Sequence, residues 1–414
     1  MIREIITQKS KMTKLSVTNN RISAILRAEN EKTGMRVYQD GLIGVAGAIG
    51  KYNEDELTAR AKHMLRYRVP YDCAPTERAV RTVDLSQRFA LTDEELVHTS
   101  TRLLDELRSR YPAFTFSHII RYEEKEEWLR NDAGADLLYR DKYVSLELLI
   151  KYKSSKSLMD GFAVNISRMY SFEDAFAVAS EYCDAYEETI ELPREGKIPV
   201  VLLTEHMFLS KFLTDLNGKQ YGAGTSLFSG RAGEKLFNER FSLEVDRNPE
   251  TCYGGFFDGE GTTLPGDRCL LIENGVLRMP YTTKRIAKKY GLPLTASASL
   301  TYDAVPDATP EGIRATPGDQ TLHTLLGGRK AIFVMFASGG DFTAQGEYAS
   351  PVQAAYLFDE NRIYGRLPQL SMSSNVFDMF GKDFVGVSCD SNSPHSPFRY
   401  LVVEMDVKKI GGHM

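Results

Sequence analysis

From Cys252 the chain reads Cys-Tyr-Gly-Gly-Phe-Phe-Asp-Gly-Glu-Gly-Thr-Thr, and after a short loop Leu270 to Leu277 reads Leu-Leu-Ile-Glu-Asn-Gly-Val-Leu. Two apolar runs flank an acidic, glycine-rich turn. Gly259 and Gly261 remove side chains where Asp258 and Glu260 project. The two carboxylates and the Thr262 hydroxyl are therefore expected to line a concave edge with close backbone access. Asn274-Gly275 is the dipeptide of a tight hairpin turn between Leu-Ile-Glu and Val-Leu strands.

The remaining chain is long enough to bury what such a sheet needs. Its 414 residues, 42% of them hydrophobic, predict two or three domains. A net charge of -5 gives no global attraction to nucleic acid or to an anionic membrane, so neither is expected as a partner. The first residues, Met-Ile-Arg-Glu-Ile-Ile-Thr, lack the apolar core of a signal peptide, and no run reaches the roughly 18 apolar residues of a membrane span. Five cysteines, at 73, 183, 252, 269 and 389, form neither a disulfide framework nor a zinc cluster, which points to a reducing cytoplasm.

Short strands are predicted at Leu15–Val17, Ile22–Leu26, Met35–Tyr38 and Leu42–Ala46, separated by Asn-Asn, Thr-Gly and Asp-Gly turns. Gly41, Gly44, Gly47 and Gly50 fit no phosphate-binding spacing and are taken as sheet glycines. Asn53 with Glu56 starts a helix that Pro70 ends. Thr92-x-x-Glu95 is a capping box for a second helix, with Leu96, Leu103, Leu104 and Leu107 on one face. Alternation returns between Phe114 and Tyr170, with a turn at Asn131-x-x-Gly134. A third helix is expected over 171–192, with Cys183 on its buried stripe. His63, His98 and His323 have no second ligand at metal spacing.

The polar, proline-bearing segment Leu192-Pro-Arg-Glu-Gly-Lys-Ile-Pro199 marks a boundary. An α+β fold is predicted: residues 1–195 form an N-terminal α/β domain of antiparallel strands and three helices, and residues 196–414 form a mainly β domain. In the second, strands are expected near 241–245, 269–272, 331–336 and 400–405, and helices near 205–216 and 282–290.

Phe-Asp-Gly-Glu-Gly-Thr followed by Leu-Ile-Glu-Asn-Gly-Val-Leu closely resembles the signature of the TldD/PmbA family, two-domain proteins called modulators of DNA gyrase whose catalytic members are metallopeptidases. Weaker points of resemblance are Gly34-Met-Arg-Val and Phe228-Ser-Gly-x-x-Gly-Glu234. Catalytic members carry His-Glu-x-x-x-His on a helix before the latter turn. The ungapped count places that motif on Leu209 to Thr214, where neither histidine nor the glutamate is present. Leu209 donates nothing and Ser210 cannot replace a general-base carboxylate. The neighbouring Glu205-His206 pair lacks the histidine an inverted motif requires, since position 202 is Leu.

The resemblance therefore implies the metal-free TldE/PmbA-like branch: no metal, no cofactor, and a groove formed by Asp258, Gly259, Glu260, Gly261 and Thr262. It also implies unfolded or extended peptide as substrate, and a metal-bearing TldD-like subunit or a second copy as partner. Two alternatives stand beside this reading. One is an independently active peptidase or hydrolase using Cys389 and His395 as a thiol–imidazole pair, or a site the sequence does not reveal; the other is a non-catalytic peptide-binding homodimer.

Overall fold

The computed structural model describes residues 1–88, 91–157, 160–203, 206–359 and 362–410. Its first 49 residues form three strands where four short ones were expected: β1 (Ile2–Thr18), β2 (Arg21–Gln39) and β3 (Leu42–Ile49). Asn19 and Asn20 have φ of 48° and 63°, and Asp40 and Gly41 have 52° and 74°. These are the left-handed pairs that two-residue hairpins use. Thr33-Gly34 is no turn. Gly34 lies inside β2, opposite Ile6 and Gly47, and it is small for another reason. A Cβ there would lie 2.2 Å from the Tyr302 carbonyl oxygen, because the C-terminal half packs directly on this strand.

Helix α1 (Glu54–Met64) begins at Asn53, whose side chain accepts from the Glu56 amide. After β4 (Val80–Asp84), helix α2 (Asp93–Arg110) opens with both bonds of the Thr92/Glu95 capping box and buries Leu96, Leu103, Leu104 and Leu107. The alternating region folds as β5 (Phe114–Asn131), β6 (Asp136–Tyr152) and β7 (Gly161–Ser167). These strands make a seven-stranded sheet in the order β3-β2-β1-β5-β6-β4, with β7 also on β6. One edge of β6 serves two neighbours. Residues 136–140 pair in parallel with β4, and residues 144–150 pair antiparallel with β7.

The third helix is shorter than expected, ending as α3 (Phe172–Ser180) and one turn, α4 (Cys183–Tyr186). Residues 188–190 are drawn out of the helical pattern by backbone bonds to Arg366, of 2.7 Å from its amide to Glu188 and 3.0 Å from the Ile190 amide to its carbonyl. Tertiary pairing outweighs the periodicity there.

The second half begins with β8 (Gly196–Leu202), α5 (His206–Asp215), α6 (Gly218–Gly222) and β9 (Leu243–Asp246). Next come β10 (Arg268–Glu273), β11 (Val276–Leu277), α7 (Lys284–Tyr290), β12 (Ile313–Ala315) and α8 (Leu322–Leu326). The chain closes with β13 (Ala331–Ala337), β14 (Asp341–Phe342), β15 (Glu347–Asp359), β16 (Arg362–Arg366), β17 (Leu370–Asn375), α9 (Val376–Met379), β18 (Phe384–Val387) and β19 (Leu401–Lys409). Asn274 and Gly275, at φ 48° and 78°, form the expected hairpin turn between β10 and β11.

Strands β11-β10-β9-β12 form a small antiparallel sheet. In the larger one, β13-β8-β19-β17-β15 is closed by a further pairing of β13 with β15, so five strands return on themselves and leave no open edge between them. The run Val200-Val-Leu-Leu203 belongs to this ring and is buried on both sides. Val200 and Leu202 join the core of the C-terminal half, while Val201 and Leu203 join a core shared with α2, α3, β5 and β6. That is why no polar residue alternates in it. The fold is α+β, and its two halves meet across an apolar interface. No helix among the described residues is long and apolar enough to cross a membrane.

Candidate functional site

The Asp258–Thr262 loop is anchored from every side. Asp258 Oδ1 accepts from the amides of Glu260 and Thr262, each at 2.9 Å, and Oδ2 accepts from the Ala298 amide at 3.0 Å. Glu260 Oε1 accepts from the Tyr71 hydroxyl at 2.6 Å, and Oε2 from the Lys284 amide at 2.7 Å. Thr76 and Lys284 reach the Glu260 carbonyl oxygen at 2.8 and 3.2 Å. Arg36 of β2, wholly buried, donates to the Gly259 carbonyl, to Thr301 O at 3.0 Å and to Glu4 at 3.2 Å. Asp258 and Glu260 are 0% and 1% exposed, so the carboxylates face inward and the open edge read from the glycines is absent at these side chains. Gly259 permits close approach of another backbone, since a Cβ there would lie 1.9 Å from Ser299 O, whereas one on Gly261 would meet the Leu129 and Thr76 side chains.

Burial raises the pKa of Asp258, and its three amide donors together with the charge of Arg247 offset this only in part. Burial and then the neighbouring Asp258 push Glu260 up to about 7. The folded chain thus holds a proton that the unfolded chain releases near the ordinary glutamate pKa. Stability conferred by this group is greatest at low pH, falls as pH rises from about 4.5 to about 7, and is level above that, a change on the order of 3 kcal/mol. Buried Glu181, also raised to about 7, adds to the same slope. Glu260→Gln is accordingly expected to flatten the fall in unfolding free energy between about pH 5 and 8 by on the order of 2 kcal/mol in urea titrations. An unchanged slope would contradict the assignment.

Helix α5 carries the positions where the resemblance implied metal ligands. Leu209 is fully buried beside Phe208 and Phe212. Ser210 Oγ donates to Met207 O at 3.0 Å, and Thr214 Oγ1 to Ser210 O at 3.1 Å. Glu205 and the His206 side chain lie outside the described residues. Among the described residues, no group of three His, Cys, Asp or Glu side chains is placed to hold a metal. Cys389 and His395 are both exposed, and no hydrogen bond joins them. Cys389 donates its amide to Gln320 O, and its neighbour Asp390 receives the Leu322 amide at the start of α8. Cys183 is buried as expected, and burial pushes its thiol up to about 12.

The concave surface lies just upstream of the acidic loop. Residues 246–254 run from β9 over the end of β7, held by Arg168, which bonds both oxygens of Asp141 at 2.8 Å and the carbonyls of Pro249 and Cys252 at 2.7 and 2.9 Å. Between this segment, residues 310–317 and residues 397–399 opens a cavity of about 460 Å³. A neighbouring hollow of about 340 Å³ shares Tyr253, Arg314 and Arg399 with it and reaches Arg168 and His395. Leu203, Ile313, Pro397 and Phe398 supply apolar wall. Burial raises the pKa of Cys252 in this wall, so it stays a thiol near neutral pH. Arg247, Arg314 and Arg399 were invisible as site residues in the sequence because each stands alone on a separate segment.

Residues 195–408 match the family model described as PmbA/TldA metallopeptidase C-terminal domain. The chain is 23% identical over 353 residues to Uncharacterized protein MJ0231 of Methanocaldococcus jannaschii, a match covering 84% of this chain and 82% of that protein. Among solved structures, a Thermotoga maritima protein named as a candidate modulator of a DNA gyrase superposes with a TM-score of 0.77 at 17% identity, covering 98% of this chain and 96% of that one. TldE from Thermococcus kodakarensis superposes with a TM-score of 0.76, also at 17% identity and with the same coverage. At these identities the structural likeness is one of fold.

Proposed function

Because the chain belongs to the PmbA/TldD metallopeptidase family, we propose that it is a subunit without a catalytic metal in a peptidase system acting on unfolded or extended peptides. The observation that carries this reading is α5. At the ligand positions implied by the family motif, a buried Leu209 offers no donor, and the hydroxyls of Ser210 and Thr214 are spent on the helix's own carbonyls. Zinc hydrolysis needs three protein ligands and an activated water, and these side chains supply none of that set. The name of the Thermococcus kodakarensis neighbour, TldE, supports the same branch.

In this reading a metal-bearing TldD-like subunit, or a second copy of the chain, completes the working assembly in the cytoplasm, with neither nucleic acid nor membrane as partner. The chain divides into domains 1–195 and 196–414. The Asp258–Thr262 loop acts on the groove from behind, fixing the segment whose Cys252, Tyr253 and Gly254 line the cleft. An extended peptide would be held largely through its backbone, which suits unfolded substrates of varied sequence.

The expected result is that the purified chain alone leaves an unstructured peptide intact. Mixing it with a metal-bearing family member from the same cell should give cleavage that a chelator stops. Cleavage by this chain alone in the presence of chelator would overturn the proposal.

A further inference from the structure

Three arginines from separate segments converge on the cleft: Arg247 just after β9, Arg314 within β12 and Arg399 just before β19. Arg314 is matched by protein carboxylates, with Nη2 at 3.0 Å from Asp246 and Nε at 3.4 Å from Glu244. Asp246 is also 3.6 Å from Arg268, so its charge is already shared. Arg168 and Arg88 on the rim are paired with Asp141 and Glu250. The other two arginines are matched less closely: Arg247 reaches Glu311 only at 3.9 Å and its charge is also felt by the buried Asp258, and Arg399 has no ion pair among the described residues.

Arg247 is only 4% exposed. Its Nε donates to Ala296 O at 3.1 Å, and Nη1 lies 3.9 Å from Glu311, a carboxylate that is 60% exposed. Its buried Nη2 has no hydrogen-bond partner. Arg399 forms no ion pair among the described residues, and its Nη1 donates to the carbonyls of Ser396 and Phe398 at 2.7 Å each. Burial, and then the charge of Arg314, lower the pKa of Arg399 from its ordinary value. A buried guanidinium with an unused donor is costly, and a second cation beside it adds repulsion. Both costs are relieved by an anion from outside, and a planar carboxylate fits the fork of an arginine.

We infer that this cleft binds the free carboxylate end of an extended peptide, with Arg399 and Arg247 facing the carboxylate and Leu203, Ile313 and Phe398 accepting an apolar last side chain. The choice of a peptide as occupant rests on the function proposed above. The mainly apolar wall favours this occupant over a small inorganic anion, which would leave that wall wet.

The test uses the purified full chain and calorimetric titration of one unstructured peptide ending in leucine, as the free acid and as the terminal amide. Acetate and inorganic phosphate serve as competitors. The acid is expected to bind at least about tenfold more tightly than the amide. Arg399→Gln and Arg247→Lys should each weaken the acid about tenfold and leave the amide unchanged. Equal binding of acid and amide, or binding of neither, would overturn the inference. So would displacement of the peptide by equimolar acetate or phosphate. The acid–amide comparison on the unaltered chain decides the matter even where a variant fails to fold. Because the readout is binding by this chain alone, it is independent of whether the chain cuts, and the two proposals can fail separately.

Discussion

Arg36→Met is expected to lower the free energy of unfolding by about 3–5 kcal/mol, because it strips one partner from a buried ion pair and leaves the other in place. Glu4, 1% exposed, would keep the Tyr38 hydroxyl at 2.8 Å and Asn131 at 3.3 Å but lose its counter-charge. The carbonyls of Gly259 and Thr301 would lose their donor at the same time. Burial disfavours the Arg36 cation, and the surrounding phenols and Glu4 outweigh it, so the pKa stays above its ordinary value and the charge is kept. Urea unfolding of the variant measures the cost, and a loss below about 1 kcal/mol would refute this account of the contact. The companion variant Glu4→Leu/Arg36→Met removes both charges and should recover part of the loss, since a vacated pair costs less than a broken one.

Gly259→Ala should be of comparable severity for a steric reason. Its Cβ would meet Ser299 O at 1.9 Å and Ser299 C at 2.5 Å, and both are backbone atoms that cannot rotate aside. The Gly259 amide is bonded to Ala298 O at 2.9 Å, so relief by movement breaks that bond and the Asp258 contacts beside it. Overpacking usually costs about 1–3 kcal/mol, and a backbone clash with hydrogen-bond loss should exceed that range. Gly254→Ala is the control: nothing lies within 4 Å of the added carbon. Thermal unfolding should separate the two variants clearly, and similar melting of both would show that the loop yields more easily than its bonding indicates.

Local rules carried much of this fold into the sequence. Asn53 and Thr92 with Glu95 cap helices where they were expected, and Asn274-Gly275 turns its hairpin. These features depend on neighbours within four residues. Strand length did not carry over, because Lys9 to Lys11 in β1 and Glu123 to Glu127 in β5 are polar where the long strands bridge two separate core clusters, one at Ile6 and Leu129 and one at Leu15 and Ile120. Gly34 was misread as a turn glycine because the Tyr302 backbone that requires it lies far along the chain.

The acidic loop was found by its motif, yet the direction of its carboxylates was not, since Tyr71, Lys284 and Ala298 come from three distant segments. The arginines of the cleft left no signature for the same reason. A charge reads as a site only when its partners are counted in space.

The contact at Gly34 that joins the halves also bears on how far they can move against each other. At Gly34 the Tyr302 backbone sits where a side chain would otherwise be, and beside it the buried Arg36 guanidinium ties Glu4 of the first half to the Gly259 and Thr301 carbonyls of the second. A backbone seated against a backbone there opposes sliding of one half past the other. The two halves are therefore expected to behave as one body, so that the cleft meets a ligand with its walls already in place.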